Sequence, residues 1–305
     1  MPSLSVVRAA NTAFSSPRPP VAIFVGGTSG IGRAIAQAFA RYTAGNSHIV
    51  LCGRNRSAAQ SALTSFPKHT TSDAGIQHEF LKCDVLEMKN VATTTGALLS
   101  RLPKVNFLVL SPGALSLKGR EETSEGIDKR LVLNYYARWK FIYDLLPLLR
   151  NASSAGESAK VMTILAPGTG GAIDLDNLGL KKNYSALKAL YAVPTYNDLM
   201  IEAFAEKEPS MSFIHAFPGL VRTPMMGRLA SALLYPVTVS PEDCAEYLLY
   251  ALLNAEPGAH RINNKGDDMG KKRYYGSDEA RARLWDHTVA EINRAMGVET
   301  EHPVY

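Results

Sequence analysis

The sequence predicts an α/β fold, a single doubly wound parallel sheet flanked by helices, and three observations predict it. A five-residue apolar run, Val21-Ala22-Ile23-Phe24-Val25, turns through Gly26-Gly27-Thr28-Ser29-Gly30-Ile31-Gly32-Arg33 into Ala34-Ile35-Ala36-Gln37-Ala38-Phe39-Ala40. Apolar strands and helical stretches then alternate down the chain, a pattern that requires right-handed crossovers between parallel strands. No repeat, linker or low-complexity tract divides the 305 residues.

Taken in order, the first run has the unbroken apolar character of a buried parallel strand, and the alanine-rich segment after Arg33 has good helix propensity. Residues 48–51 read as a second strand, 57–66 as a helix, 76–81 as a third strand and 87–102 as a helix. Residues 105–110 form a fourth apolar strand, 122–150 a long helix and 160–165 a fifth strand. Residues 211–217 give a sixth strand ended by Pro218-Gly219, followed by helices over 241–254 and 278–296.

Composition narrows the function. With 46% hydrophobic and 20% charged residues the chain can bury a large core. The net charge of +5 is dispersed, without an aromatic-interleaved basic stripe, so nucleic-acid binding is not expected and attraction of an anionic cofactor is. Cys52, Cys83 and Cys244 are too scattered for a disulfide framework or a zinc site, and read as reduced core residues. No apolar run is long enough to span a bilayer, which points to a cytoplasmic protein. Residues 1–20 carry Arg8, Arg18 and several serines without an acid, and read as an N-terminal arm packed on the domain or as a transit peptide.

The glycine turn is the first chemical signal. Glycines at a helix N-terminus let a diphosphate approach free backbone N–H groups and the positive end of the helix dipole, so a dinucleotide is the expected ligand. The second strand ends Leu51-Cys52-Gly53-Arg54, without the acid that would accept bonds from ribose hydroxyls. Arg54 suits a 2′-phosphate, and Arg33 lies on the same side of the turn, which favours NADP(H).

Gly26-Gly27-Thr28-Ser29-Gly30-Ile31-Gly32 resembles the TGxxxGxG turn of the short-chain dehydrogenase/reductases. Cys83-Asp84-Val85, Asn134, Tyr184-Ser185-Ala186-Leu187-Lys188 and Pro218-Gly219-Leu220-Val221-Arg222-Thr223-Pro224 follow in family order. The resemblance covers residues 20–260 and is strongest to fungal secondary-metabolism members. It implies a Rossmann-like domain over 21–305, with a cofactor half at 21–150 and a catalytic and substrate half at 151–305, assembled as a homodimer or homotetramer. It also implies cofactor contacts from Gly26, Thr28, Ser29, Gly30, Ile31, Gly32, Arg33, Arg54, Asp84, Val85, Ser111, Gly113, Lys188, Pro218, Gly219, Val221 and Thr223. Tyr184 then donates or accepts the proton of a carbonyl/alcohol pair. Residues four apart share a helix face, so Lys188 is expected beside Tyr184, and Asn134 is expected to hold a water linking Lys188 to solvent.

Three departures bear on the mechanism. Leu165-Ala166-Pro167-Gly168 stands where the family has a substrate-polarising serine, leaving Thr169 as a replacement donor or a plain loop residue. Counted back from Pro218, Tyr184 stands about one turn, ~4 residues, further upstream than the family places it, and Pro194 interrupts the expected helix, which would then begin near Tyr191, put Tyr184 and Lys188 on a preceding turn as an accidental match, and leave Tyr191 or Tyr196 as replacement acids. Ser111-Pro112-Gly113-Ala114 stands in place of the usual Asn-Asn-Ala-Gly. Met225, Met226, Leu229, Leu233 and Leu234 suit either a lid over a bulky apolar substrate or a helix packed on its own domain. Tyr135, Tyr136 and Trp139 read as helix core, and a lone His215 offers no metal spacing. The expected activity is NADP(H)-dependent carbonyl/alcohol interconversion on a hydrophobic small molecule. An isomerase, cyclase or dehydratase on the same scaffold, or a silent NADP-binding protein, remain the alternatives.

Overall fold

The computed structural model describes residues 1–68, 77–113, 118–224 and 235–298. Seven strands form one sheet: β1 (Val21–Val25), β2 (His48–Gly53), β3 (Glu79–Lys82), β4 (Phe107–Leu110), β5 (Lys160–Ile164), β6 (Ser212–Ala216) and β7 (Gly258–Ile262). Their order is β3-β2-β1-β4-β5-β6-β7, and every pairing is parallel. The order reverses at β1 and β4, so their carboxyl ends open the crevice in which ligands of such sheets bind.

Helices cover both faces. On one side lie α2 (Gly30–Tyr42), α3 (Arg56–Thr64) and α7 (Pro241–Asn254), built on Phe24, Phe39, Phe107 and Leu248. On the other lie α4 (Met88–Leu99), α5 (Ala137–Ser154), α6 (Ala186–Lys207) and α8 (Asp278–Met296). Here Tyr135, Tyr136 and Trp139 are buried as core residues; Trp139 meets Trp285 of α8 edge-on, and Tyr135 hydrogen-bonds Thr288 (2.6 Å). All three cysteines are buried and free.

Four expectations change. An additional helix, α1 (Leu4–Thr12), packs on α7, and β7 adds a strand beyond β6. The long helix does not start at residue 122: Glu122 bridges Asp128, whose carboxylate caps a short turn, Lys129–Leu131. A π-helical turn, Val132–Tyr136, then leads into α5. Finally, α6 begins at Ala186 rather than near Tyr191 and continues through Pro194. The candidate lid residues Met225, Met226, Leu229, Leu233 and Leu234, and Ala114, lie outside the described residues.

The anchor of α1 is polar. Glu246 of α7 is buried, and its carboxylate accepts from Asn11 Nδ2 (2.9 Å), Arg41 Nη2 (2.7 Å) and the Tyr42 hydroxyl (2.8 Å). Residues 4–12 therefore share buried hydrogen bonds with the domain. Removing the carboxylate leaves the buried Asn11 amide only the Glu246 main-chain carbonyl (3.0 Å) and takes an acceptor from the half-buried Tyr42 hydroxyl, so Glu246→Ala is expected to lower stability by about 1–2 kcal/mol in denaturant unfolding. An unchanged midpoint and slope would refute that role.

Candidate active site

The site begins where β1 meets α2. Gly26 has φ +81° and its N–H bonds the Cys52 carbonyl (2.9 Å), bending the chain over the end of β2. Ser111, following β4, donates both its N–H (2.9 Å) and its hydroxyl (3.1 Å) to the Val25 carbonyl. A Cβ on Gly32 would lie 2.2 Å from Ser111 Oγ and 2.6 Å from the Gly26 carbonyl oxygen. Only glycine fits there.

This packing exposes the head of α2 in the crevice. Ser3, Asn55, Ser185, Ser240 and Ser277 each cap their own helices by accepting a backbone N–H, whereas Ser29 makes no such bond and the first turn of α2 holds no acid. Free N–H groups and the helix dipole therefore face outward and suit an anion. The other expected cofactor residues surround this point. Thr28 packs against Gly53 at the end of β2, the methyl of Thr223 reaches Gly30, and Val221 bridges Val239 to hold the Pro218–Thr223 segment in place. Gly219 takes φ +76° in that segment. Asp84, half-buried, accepts from Leu86 N–H (3.2 Å), and Val85 is buried beside it. Arg33 is half-buried and Arg54 exposed, and among the described residues no ion pair engages either. The donor set, free N–H groups with two unpaired guanidinium groups, fits a phosphorylated dinucleotide.

Asn134 sits in the π turn that leads into α5, beside the loop that follows β4. Its Nδ2 donates to the Arg130 carbonyl (3.0 Å), and a Cβ on Gly113 would lie 3.6 Å from its Oδ1. Its own carbonyl accepts from Asn197 Nδ2 (2.8 Å).

Tyr184 and Lys188 do not form the expected pair. Ser185 is the N-cap of α6, so Tyr184 precedes the helix and shares no helical face with Lys188. Exposed Lys188 turns its Nζ to the Asn183 carbonyl (3.2 Å), while the Tyr184 hydroxyl accepts from Arg130 Nη1 (2.7 Å). Burial, the largest cause, and Asp128 raise the Tyr184 pKa, with Arg130 acting in the opposite direction. The replacement candidates fare differently. Tyr196 is fully buried, donates to the Leu178 carbonyl (2.9 Å) and has its pKa raised by burial, which removes it as an acid for substrate. Tyr191 is half-exposed, its side chain lying over Gly171. Thr169 is exposed and donates its hydroxyl to the Ala166 carbonyl (2.9 Å), as a turn residue.

The loop after β5 is instead fixed from beneath. Pro194 removes one donor from the α6 ladder, and the loop docks at that turn: Gly171 N–H donates to the Tyr191 carbonyl (3.1 Å) and Thr195 Oγ1 to the Gly171 carbonyl (2.8 Å). Buried Arg138 donates to Thr163 Oγ1 (2.6 Å) and to the carbonyls of Ile164 (2.9 Å) and Pro112 (2.7 Å), tying β5 to β4; burial pulls its pKa down to about 9. His215 Nε2 accepts from Ala166 N–H (3.1 Å), so Nδ1 carries the proton and donates to Asp198 (2.6 Å), which also pairs with Arg261 Nε (3.0 Å). Burial lowers the His215 pKa and both ring nitrogens are committed to protein groups. Arg130, Arg138, Asn197, Asp198 and Arg261 escaped the sequence reading; the available signal was a charged or amide residue inside an apolar helical or strand run.

The short-chain dehydrogenase family model matches residues 20–233. The chain belongs to the short-chain dehydrogenase family. It is 38% identical to Oxidoreductase AN1596 of Emericella nidulans over 97% of this chain and 99% of that protein. It is 32% identical to Oxidoreductase andH of Emericella variicolor over 84% of this chain and 76% of that protein. Among solved structures it is similar to NADPH-bound carbonyl reductase from chicken fatty liver, with a TM-score of 0.62 at 18% identity over 83% of this chain and 99% of that one. This short-chain dehydrogenase thus has the parallel sheet of a family that binds a nicotinamide cofactor, and among its described residues no helix is long and apolar enough to cross a membrane. Gly32→Ala is expected to push Ser111 and Gly26 apart and weaken NADPH binding at least about tenfold in a fluorescence titration. Unchanged affinity would show that the turn does not hold the cofactor.

Proposed function

We propose that this short-chain dehydrogenase is an NADP(H)-dependent enzyme that interconverts a carbonyl and an alcohol on a hydrophobic small molecule, with Tyr184 as proton donor or acceptor. The observation that carries the reading is the uncapped head of α2, with Arg33 and Arg54 free of carboxylates beside an acid-free end of β2. A 2′-phosphate would offer those guanidinium groups a partner, whereas an unphosphorylated ribose would lack the usual carboxylate acceptor. Exposed Leu187, Leu190 and Tyr191 on the first turns of α6, beside the β5 loop, favour an apolar substrate. Buried cysteine thiols agree with a reducing, cytoplasmic setting, which we include in the proposal together with the homo-oligomeric assembly usual in the family.

A bound nicotinamide would supply the hydride for the new C–H bond, and Tyr184 gives its proton to the carbonyl π pair to form the alcohol O–H. The phenolate left behind regains a proton from water. Because burial raises the Tyr184 pKa, the phenol stays protonated at neutral pH, ready to act as an acid. Reduction therefore runs at neutral pH, and the reverse oxidation gains rate as the pH rises toward the phenol's pKa.

Tyr184→Phe is expected to cut NADPH-dependent turnover about 100-fold on the best apolar ketone or aldehyde of a panel, with circular dichroism and NADPH binding unchanged. Unaltered turnover in a folded variant would refute Tyr184 as the acid.

A further inference from the structure

We infer that Arg130 is the cation that sets the proton affinity of Tyr184, a positioning residue in the role that residue spacing assigns to Lys188. The inference rests on the reading of Tyr184 as proton donor. Arg130 Nη1 donates to the Tyr184 hydroxyl at 2.7 Å, and the guanidinium carbon stands 6.0 Å from the phenol ring centroid. The same Nη1 reaches the Ala186 carbonyl (3.3 Å), tying the first turn of α6 to the lead-in of α5. On the other side, the Arg130 carbonyl accepts from Asn134 Nδ2, and Asn134 borders Gly113 at the end of β4. A continuous line therefore runs from the crevice through Asn134 and Arg130 to the phenol oxygen.

The charged groups facing this phenol are Arg130 on the lead-in turn, and Asp128 and Arg120 on the loop before it. Asp128 is held by the N–H groups of Arg130 (3.1 Å), Leu131 (3.2 Å) and Glu121 (3.3 Å), and Arg120 by the carbonyls of Gly179 and Leu180. Arg130 is the cation in direct contact. A guanidinium donating to a phenolate stabilises the ionised form through Coulomb attraction and a charge-assisted hydrogen bond, and stays charged across the working pH range. It therefore offsets the burial and the charge and hydrogen bond of Asp128, which favour the neutral phenol. No proton is taken from Arg130; the proton given to substrate is the phenol's own, replaced from water.

The direct test is NMR of the full chain labelled with [13C-ζ]tyrosine, titrated with pH, the Tyr184 signal being assigned by its loss in Tyr184→Phe. Arg130→Met is expected to raise the Tyr184 midpoint by about one pH unit and to shift the alkaline rise of alcohol oxidation by the same amount. Arg130→Lys, which keeps a charge but loses the fork, is expected to restore most of that shift even if its melting temperature falls. A midpoint unmoved in both variants, with Tyr184→Phe still inactive, overturns the Arg130 inference and leaves the Tyr184 reading standing. Full turnover in folded Tyr184→Phe overturns both.

Discussion

The structure depends on one close approach, that of Ser111 to the turn between β1 and α2. Its backbone and hydroxyl both hold the Val25 carbonyl, and the space they occupy is the space that a side chain on Gly26 or Gly32 would need. Two consequences follow from that contact. The head of α2 is brought to the point where the strand order reverses, and its N–H groups are left without the serine cap that the other serine-headed helices have. Such a helix end suits an anion, so the cofactor site proposed above would be a by-product of how tightly the sheet's centre is packed.

The catalytic half solves a different problem. A member of this family without the usual serine after β5 must still hold that loop in register with the cofactor. Here the loop is held by buried polar groups: Ala166 through His215, Asp198 and Arg261, and Gly171 through Thr195 of α6. Arg138 and Asn197 join Thr163, Ile164, Pro112 and Asn134 across the floor of the crevice. Each of these polar side chains is buried, so losing one strands its partners and costs more than the bond itself. Rigid placement of the loop backbone is what this network provides, and in the function proposed above the proton chemistry falls to Tyr184.

Much of this was legible in the sequence where one physical signal dominated. Unbroken apolar runs mark β1 and β4, which are buried throughout, and the glycine turn announces the α2 head. Edge elements were harder. β7, Gly258-Ala259-His260-Arg261-Ile262, mixes polar and apolar residues because only its last residues are buried, and α1 buries just Val7 and Asn11. The long helix expected from residue 122 instead begins as a short turn at Lys129–Leu131, capped by the Asp128 carboxylate, and reaches α5 only through the π turn. Tyr184 and Lys188 show the same error in a functional setting: four-residue spacing means a shared face only inside a helix, and Ser185 is a cap. Arg130 lies 54 residues from Tyr184, and no local pattern connects them.

The account's central claim is that the α2 head and its arginines hold a 2′-phosphorylated dinucleotide. The most direct measurement is a fluorescence titration of the unmodified protein with NADPH and with NADH under one buffer and salt condition. The account predicts saturable NADPH binding at least about tenfold tighter than NADH, with the preference weakening as salt screens the guanidinium–phosphate attraction. Equal or tighter NADH binding would contradict the assignment of Arg33 and Arg54, and no binding of either would contradict the cofactor site itself.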